Sequence, residues 1–429
     1  MHDSEPLVVA SSAESLIADH AGLGEFLREH EINADGTRAA STLGQWSWAL
    51  FEAARDPNVI FQIYVISPFF ATVMIADPIR GQALWGEIVT YSGFITALFA
   101  PFLGAIADKG GRRKPWLALF AALMVLSFAG TWFGVKSSSP MQIFIVSAAL
   151  VLNNIVFEFS NVFHAAMLSS IAPRSRIGGL SGLAFALGSG AGVLLLIVFF
   201  LCFLLPGRVH APFVLAHPLF GVDQAAYEPQ RLSGPLSAAW MLLFAIPLFL
   251  WTPDRASGLG WRESLRQGTA AVITTIRSLK HYKNVAHYLG ARTLFNDGLT
   301  GVLTFTGIYA AGTFGLSGLE MAVFGIVICT FAALGGLVGG WLDNRFGSKT
   351  ALLLSIGGCT LFFSLGLTMA PDRIFWFWHS PELARAVLPV PIFNTWPRLI
   401  FIVLSDLMAM CVVAGYANSR TMMARIAPL

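Results

Sequence analysis

Residues 91–116 read YSGFITALFAPFLGAIADKGGRRKPW, and this stretch decides the architecture. A long apolar run stops abruptly at Asp108, two glycines and the cations Lys109, Arg112, Arg113 and Lys114, then the chain turns apolar again. A domain folded in water has little use for such a break. A chain that has crossed a bilayer and must turn back does: the cations stay with the headgroups and the glycines permit a tight reversal.

Composition agrees. The 429 residues are 55% hydrophobic and only 12% charged, with a mean hydropathy of +0.68, whereas soluble domains carry about 25% charged residues. A span needs about 20 apolar residues to cross roughly 30 Å of hydrocarbon. Runs of that kind lie near 46–76, 84–107, 115–135, 141–171, 178–205, 235–252, 285–312, 319–341, 349–370 and 397–418. The reading is an all-α polytopic membrane protein with ten spans. Trp46, Trp48, Trp85, Trp116, Trp132, Trp240, Trp251, Trp341, Trp376, Trp378 and Trp396 cluster at span ends, where interfacial rings belong.

Of 27 Lys and Arg, seven (Arg80, Lys136, Arg208, Arg231, Arg373, Arg385, Arg398) fall in one set of loops and Arg55 and Arg292 within spans. The other 18 lie in the tails and the alternate loops, which places both termini in the cytoplasm, with a bacterial inner membrane as the expected location. The segments divide into an acid-rich cytoplasmic tail over 1–43, a six-helix bundle over 44–252, a linker over 253–284 and a second bundle over 285–429. Within the tail, 12–30 has the pattern of a short amphipathic helix. Within the linker, Trp261, Leu265, Ile273, Ile276 and Leu279 share one helical face, as in a helix lying in the headgroup plane.

Catalytic and metal chemistry find no support. Cys202, Cys329, Cys359 and Cys411 are scattered singly in apolar runs and read as packing residues. HExxH, GxSxG and nucleotide fingerprints are lacking, and GSKT at 347–350 does not have the phosphate-loop order. We expect no cofactor, no metal, no nucleic-acid partner and no enzyme.

The opening motif has a weaker copy, GGWLDNRFGSKT, after segment 8. Gly339 precedes Asp343 by four, as Gly104 precedes Asp108. Gly347 stands where Arg112 stands, and Lys349 matches Lys114. Duplication of this sort marks secondary transporters, whose sites lie near mid-membrane between repeats. The motif at 104–114 resembles the signature of the major facilitator superfamily. Within it, the chain is similar to the vacuolar amino-acid effluxers and their bacterial relatives, through WALFEAARDP (48–57), FSNVFHAAMLSSIAPRSRIGGLSGLAFALG (159–188), FNDGLT (295–300) and SRTMMARIAP (419–428). The resemblance implies a two-bundle fold of twelve helices, of which ten are visible, so we expect the sequence to be truncated after helix 10. It also implies that Gly104, Asp108, Arg112, Arg113, Lys114, Asp343, Gly347 and Lys349 gate one side. Asp108 would dock on a helix 11, and Asp343 on the start of segment 5 near Arg176 and Gly178. Without helix 11, Asp108 would be free beside its loop cations and Arg174.

Ionisable groups inside a membrane are costly and functional by default. Glu52, Arg55 and Asp56 lie in segment 1, Glu158 in segment 4, Arg292 and Asp297 in segment 7, and Asp406 in segment 10; Glu87 is the exception, in segment 2. The resemblance implies that segments 1, 4, 7 and 10 line the central cavity. Glu52 and Asp56 share a face, Arg55 is placed to pair with either or with Glu158, and Asn154, Glu158 and Asn161 share another. Asn296 and Asp297 precede Gly298, where a kink is expected. His164 reads as a packing histidine, with a proton relay the sharper alternative. These groups are the candidate site for a small polar solute, an amino acid by resemblance, and for a coupling proton or sodium ion. The competing reading is a non-transporting remnant, or an assembly or sensor protein, that keeps the fold.

Overall fold

The computed structural model describes residues 38–109, 112–173, 175–207, 214–254, 283–316, 318–387 and 392–426, with positions 263, 266, 267, 270 and 274 between them. Ten long helices form: α1 (Thr42–Met74), α2 (Pro78–Lys109), α3 (Lys114–Gly130), α4 (Pro140–Ile171), α5 (Ile177–Phe199), α6 (Glu228–Trp251), α7 (Lys283–Gly312), α8 (Gly318–Phe346), α9 (Ser348–Leu367) and α10 (Trp396–Ile426). Nine are long and apolar enough to cross a bilayer among the described residues. The tenth, α7, carries His287, Arg292, Asn296 and Asp297 along its length. It runs as one continuous helix through Gly298. The amphipathic pattern at 12–30, most of the linker helix, and the Asp108 side chain with Arg174 lie outside the described residues.

Local chemistry explains the boundaries. α4 opens on a capping box in which Ser139 and Gln142 satisfy each other's backbone N–H groups. At the start of α3, both carboxylate oxygens of Asp254 accept from the backbone, Arg113 N at 2.9 Å and Lys114 N at 3.0 Å. An anion at a helix N-terminus is favoured by the aligned peptide dipoles. Pro57 leaves the Ala53 carbonyl without its helical donor, and Trp240 Nε1 of α6 donates to that oxygen at 2.8 Å. Beyond it α1 widens into π turns at Gln62–Ile66 and Phe70–Met74, on either side of Pro68.

In the first half α1 packs on α5 and α6, α4 on α2 and α3, and α3 on α6. In the second, α10 packs on α8 and α9, while α7 lies lightly against α9 and α10. The two halves join mainly along α5 and α8. That seam is backbone against backbone: a methyl group on Gly182 would strike the Gly336 carbonyl, and one on Gly340 would sit 3.0 Å from the Gly178 carbonyl. An adjacent face of α8 uses Gly335 and Gly339 to admit Met410 and Ala414 of α10. Close approach of this kind is what small residues supply between helices in lipid.

Two tryptophans read as interfacial are packing residues instead. Trp48 is fully buried in a cluster with Phe51, Leu117, Met124 and Phe163, and Trp240 is half-buried against Phe244. Their indole N–H groups satisfy backbone carbonyls across helices. α10 also extends to Ile426, beyond the expected end near 418, which carries Arg420 and Arg425 into the bundle.

Candidate functional site

The ends of the bundle differ. The loops holding Arg112–Lys114, Arg176 and Arg345–Lys349 gather with the start of α1 and the end of α10 at what we call the basic end. Glu52 lies ten residues into α1, about 15 Å along its axis at 1.5 Å per residue. It is wholly buried and stands at a junction of α1, α4, α5 and α10.

Glu52 is held from three sides. Arg55, one turn along α1, pairs with one carboxylate oxygen. Arg420 of α10 reaches Oε1 from the other half at 2.7 Å, and His164 Nδ1 of α4 lies 3.3 Å from the same oxygen. Arg420 is itself fixed: its Nε donates to Ser181 Oγ and its Nη2 to Ser181 O, both at 2.9 Å. Its guanidinium lies 4.3 Å from the Phe185 ring and 5.2 Å from that of Trp48. Ser181 Oγ completes the link by donating to Ala417 O at 3.1 Å. Arg55 also contacts Asp56 Oδ1 at 3.5 Å and Ser160 Oγ at 3.4 Å, over the Phe157 ring at 4.6 Å. Desolvating one such ion costs several kcal/mol, so full burial of Glu52 requires these partners.

Trp48 and His164 bind each other twice. Trp48 Nε1 donates to His164 O at 3.0 Å, His164 Nε2 lies 2.9 Å from Trp48 O, and the rings stack at 4.4 Å. A carbonyl oxygen only accepts, so Nε2 carries the ring proton.

The candidates from the sequence fall into groups. Glu52, Arg55 and Asp56 meet in the knot, with Glu158 near enough to Arg55 to act on its charge. Asn154 serves a polar ladder instead: its Oδ1 accepts from Gln62 at 2.8 Å and its Nδ2 donates to Ser92. Asp406 is buried in α10, and its Oδ1 has no hydrogen-bond partner among the described residues. Arg292, Asn296 and Asp297 stand apart on α7, with Asp297 exposed.

Among the loop residues, Asp343 is buried against Gly178, where a methyl group would collide with its carboxylate, and Arg425 Nη2 holds it at 3.1 Å. Asn344 Oδ1 accepts from Gly179 N beside it. Arg113 donates to Ala107 O and Ser170 Oγ, and Lys114 Nζ to Phe249 O. Arg112 and Lys349 are exposed, Gly104 packs near Val162, and Gly347 adopts φ +82°, which glycine tolerates. Reading from sequence missed Arg420, Ser181 and Asp254. A signal existed: HAAMLSSIAP (164–173) and SRTMMARIAP (419–428) end the fourth helix of each half alike, and their alignment puts Arg420 inside a helix.

A family model described as vacuole effluxer Atg22 like matches residues 169–369. A protein of Bacillus subtilis (strain 168), the uncharacterized MFS-type transporter YxiO, is 24% identical over 320 residues, covering 72% of this chain and 70% of its own. Among solved structures, the E. coli fucose:proton symporter FucP superposes with a TM-score of 0.54 at 14% identity, covering 90% of this chain and 87% of that one. The E. coli xylose transporter XylE gives 0.54 at 14%, covering 90% and 84%. A bacterial homologue of the iron transporter ferroportin gives 0.53 at 12%, covering 90% and 84%.

Proposed function

Taking the major facilitator fold and the Atg22-like sequence as premise, we propose that this chain is a secondary active transporter of a small polar solute. Its bundles, 44–252 and 285–429, rock about their seam, with 1–43 as a tail and 253–284 as a linker. The supporting observation is the knot: Arg420 of one half bonded to Glu52 and Ser181 of the other, toward the basic end of the bundle. Such a contact belongs to one state of an alternating-access cycle, closed at the basic end.

In this reading the basic end faces the cytoplasm of a bacterial inner membrane, and both termini lie there. Asp343, Arg425 and the start of α5 close the same end, with Gly104, Asp108 and Arg112–Lys114 framing the opposite loop and Gly347 and Lys349 the hinge into α9. Amino acids are the first solutes to test, because the matched family model is one of effluxers and the buried groups carry both signs. The carboxylates Glu52, Asp56, Glu158, Asp297 and Asp406 are candidates for the coupling ion or a substrate amino group. Arg55 and Arg292 suit a substrate carboxylate, and Asn154, Asn161 and Asn296 neutral polar contacts.

The test is uptake by proteoliposomes of labelled amino acids, with and without an imposed proton or sodium gradient. Accumulation that needs the gradient supports the reading. In Glu158→Gln or Asp297→Asn, loss of gradient-driven accumulation with counterflow preserved would assign coupling to that carboxylate. Retention of both activities in both variants would make the two groups structural.

A further inference from the structure

Glu52 Oε1 faces two cation sites at once, and only one of them is filled. Arg420 Nη1 occupies the first at 2.7 Å. The second is His164 Nδ1, fully buried and 3.3 Å from the same oxygen, an ion pair only if the ring is protonated. The other ring nitrogen already spends its proton on Trp48 O. Nδ1 therefore presents a lone pair toward a carboxylate, a repulsive arrangement that one added proton converts into an ion pair.

We propose that His164 Nδ1 is a proton-acceptor site, and that a proton bound there takes over Glu52 Oε1 and releases Arg420, unlocking the two halves at the basic end. The proposal rests on the transporter reading only for its purpose. The charged groups acting on the ring are Glu52 and Arg55 of α1 and Arg420 of α10, with Trp48 and Phe51 as its apolar walls. The added proton keeps the two carboxylates balanced. Before it, Glu52 and Asp56 face Arg55 and Arg420; after it, they face Arg55 and an imidazolium. No bare ion is left in the apolar interior, which keeps the release of Arg420 inexpensive. The freed guanidinium travels with α10 and gives up Ser181 and Phe185 of α5 as the cleft opens to water, so it is not stranded in lipid.

Thiol labelling of the full chain in nanodiscs tests this. The four native cysteines are replaced by serine, and Ala417→Cys, which is buried against Ser181, reports opening of the interface. Labelling by a maleimide, divided at each pH by that of the exposed Lys349→Cys because the thiolate is the reactive form, should be about tenfold faster at pH 5.5 than at pH 7.5. In His164→Gln this normalised rate should be slow and independent of pH, and in His164→Lys fast throughout. A pH profile unchanged in His164→Gln would place the proton elsewhere, on Asp56 or Glu158, and overturn the proposal.

A second measurement needs no variant to fold. Nitrogen-15 spectra of histidine-labelled wild type at pH 8 should show His164 with a bare Nδ1 that gains its proton on acidification. A ring protonated at Nδ1 and bare at Nε2 at pH 8 would overturn it equally. Neither readout uses a solute. Failure of every solute to accumulate would defeat the transporter reading and leave the proton site standing.

Discussion

Arg420 shows how a residue gains its meaning from depth. Its local sequence, YANSRTMMAR, is polar enough to read as a tail. Yet Arg420 is only 8% exposed, because α10 continues alongside α8 to Ile426. Spacing alone made Glu52, Arg55 and Asp56 legible as one cluster. It could not reveal a partner 368 residues away, since that contact depends on which helices meet. Removing one member of a buried pair strands the other, at about 3–5 kcal/mol. Arg420→Gln should therefore lower stability by roughly that amount in equilibrium unfolding of the purified chain. Adding Glu52→Gln should recover a large part of the loss. Equal instability of single and double variants would show that the two groups do not act as a pair. Arg420→Lys should rescue little, because an ammonium cannot reproduce the fork that spans Ser181 and Glu52.

At the scale of elements, the glycine runs in α5 and α8 were legible as packing faces, but not as the seam between halves. A glycine run states how near a neighbour comes and is silent on its identity. Gly182→Val should force α5 off α8 and destroy the closed state, read as fast Ala417→Cys labelling at every pH. Gly93→Ala on α2, which has open space around it, should instead stabilise by up to about 1 kcal/mol through helix propensity. The Trp240 bond to Ala53 was illegible too, although Pro57 announces a carbonyl in need of a donor. Trp240→Phe should cost about 1–3 kcal/mol, the penalty for leaving that buried oxygen unsatisfied. A smaller loss in thermal unfolding would mean that another group takes over.

For the whole molecule, helix number and order were readable because apolar runs of bilayer length have few alternatives. The proposed orientation rests on the cation asymmetry and is open to direct test. An impermeant thiol reagent applied outside intact cells should modify Arg385→Cys and Lys136→Cys but spare Lys349→Cys and Arg176→Cys. The opposite pattern would invert the topology.

The bare seam between α5 and α8 has a mechanical consequence. A joint made of interdigitated side chains resists separation over its whole area, because every rotamer must disengage and every apolar group loses its neighbour. Gly178, Gly182, Gly336 and Gly340 offer no such teeth. The joint works as a smooth bearing with little friction, and the load falls on a few discrete fasteners: Arg420 on Glu52 and Ser181, and Asn344 on the Gly179 backbone. Since 1.4 kcal/mol is tenfold in an equilibrium constant, loss of a single fastener is enough to move most of the population from one position of the bearing to the other.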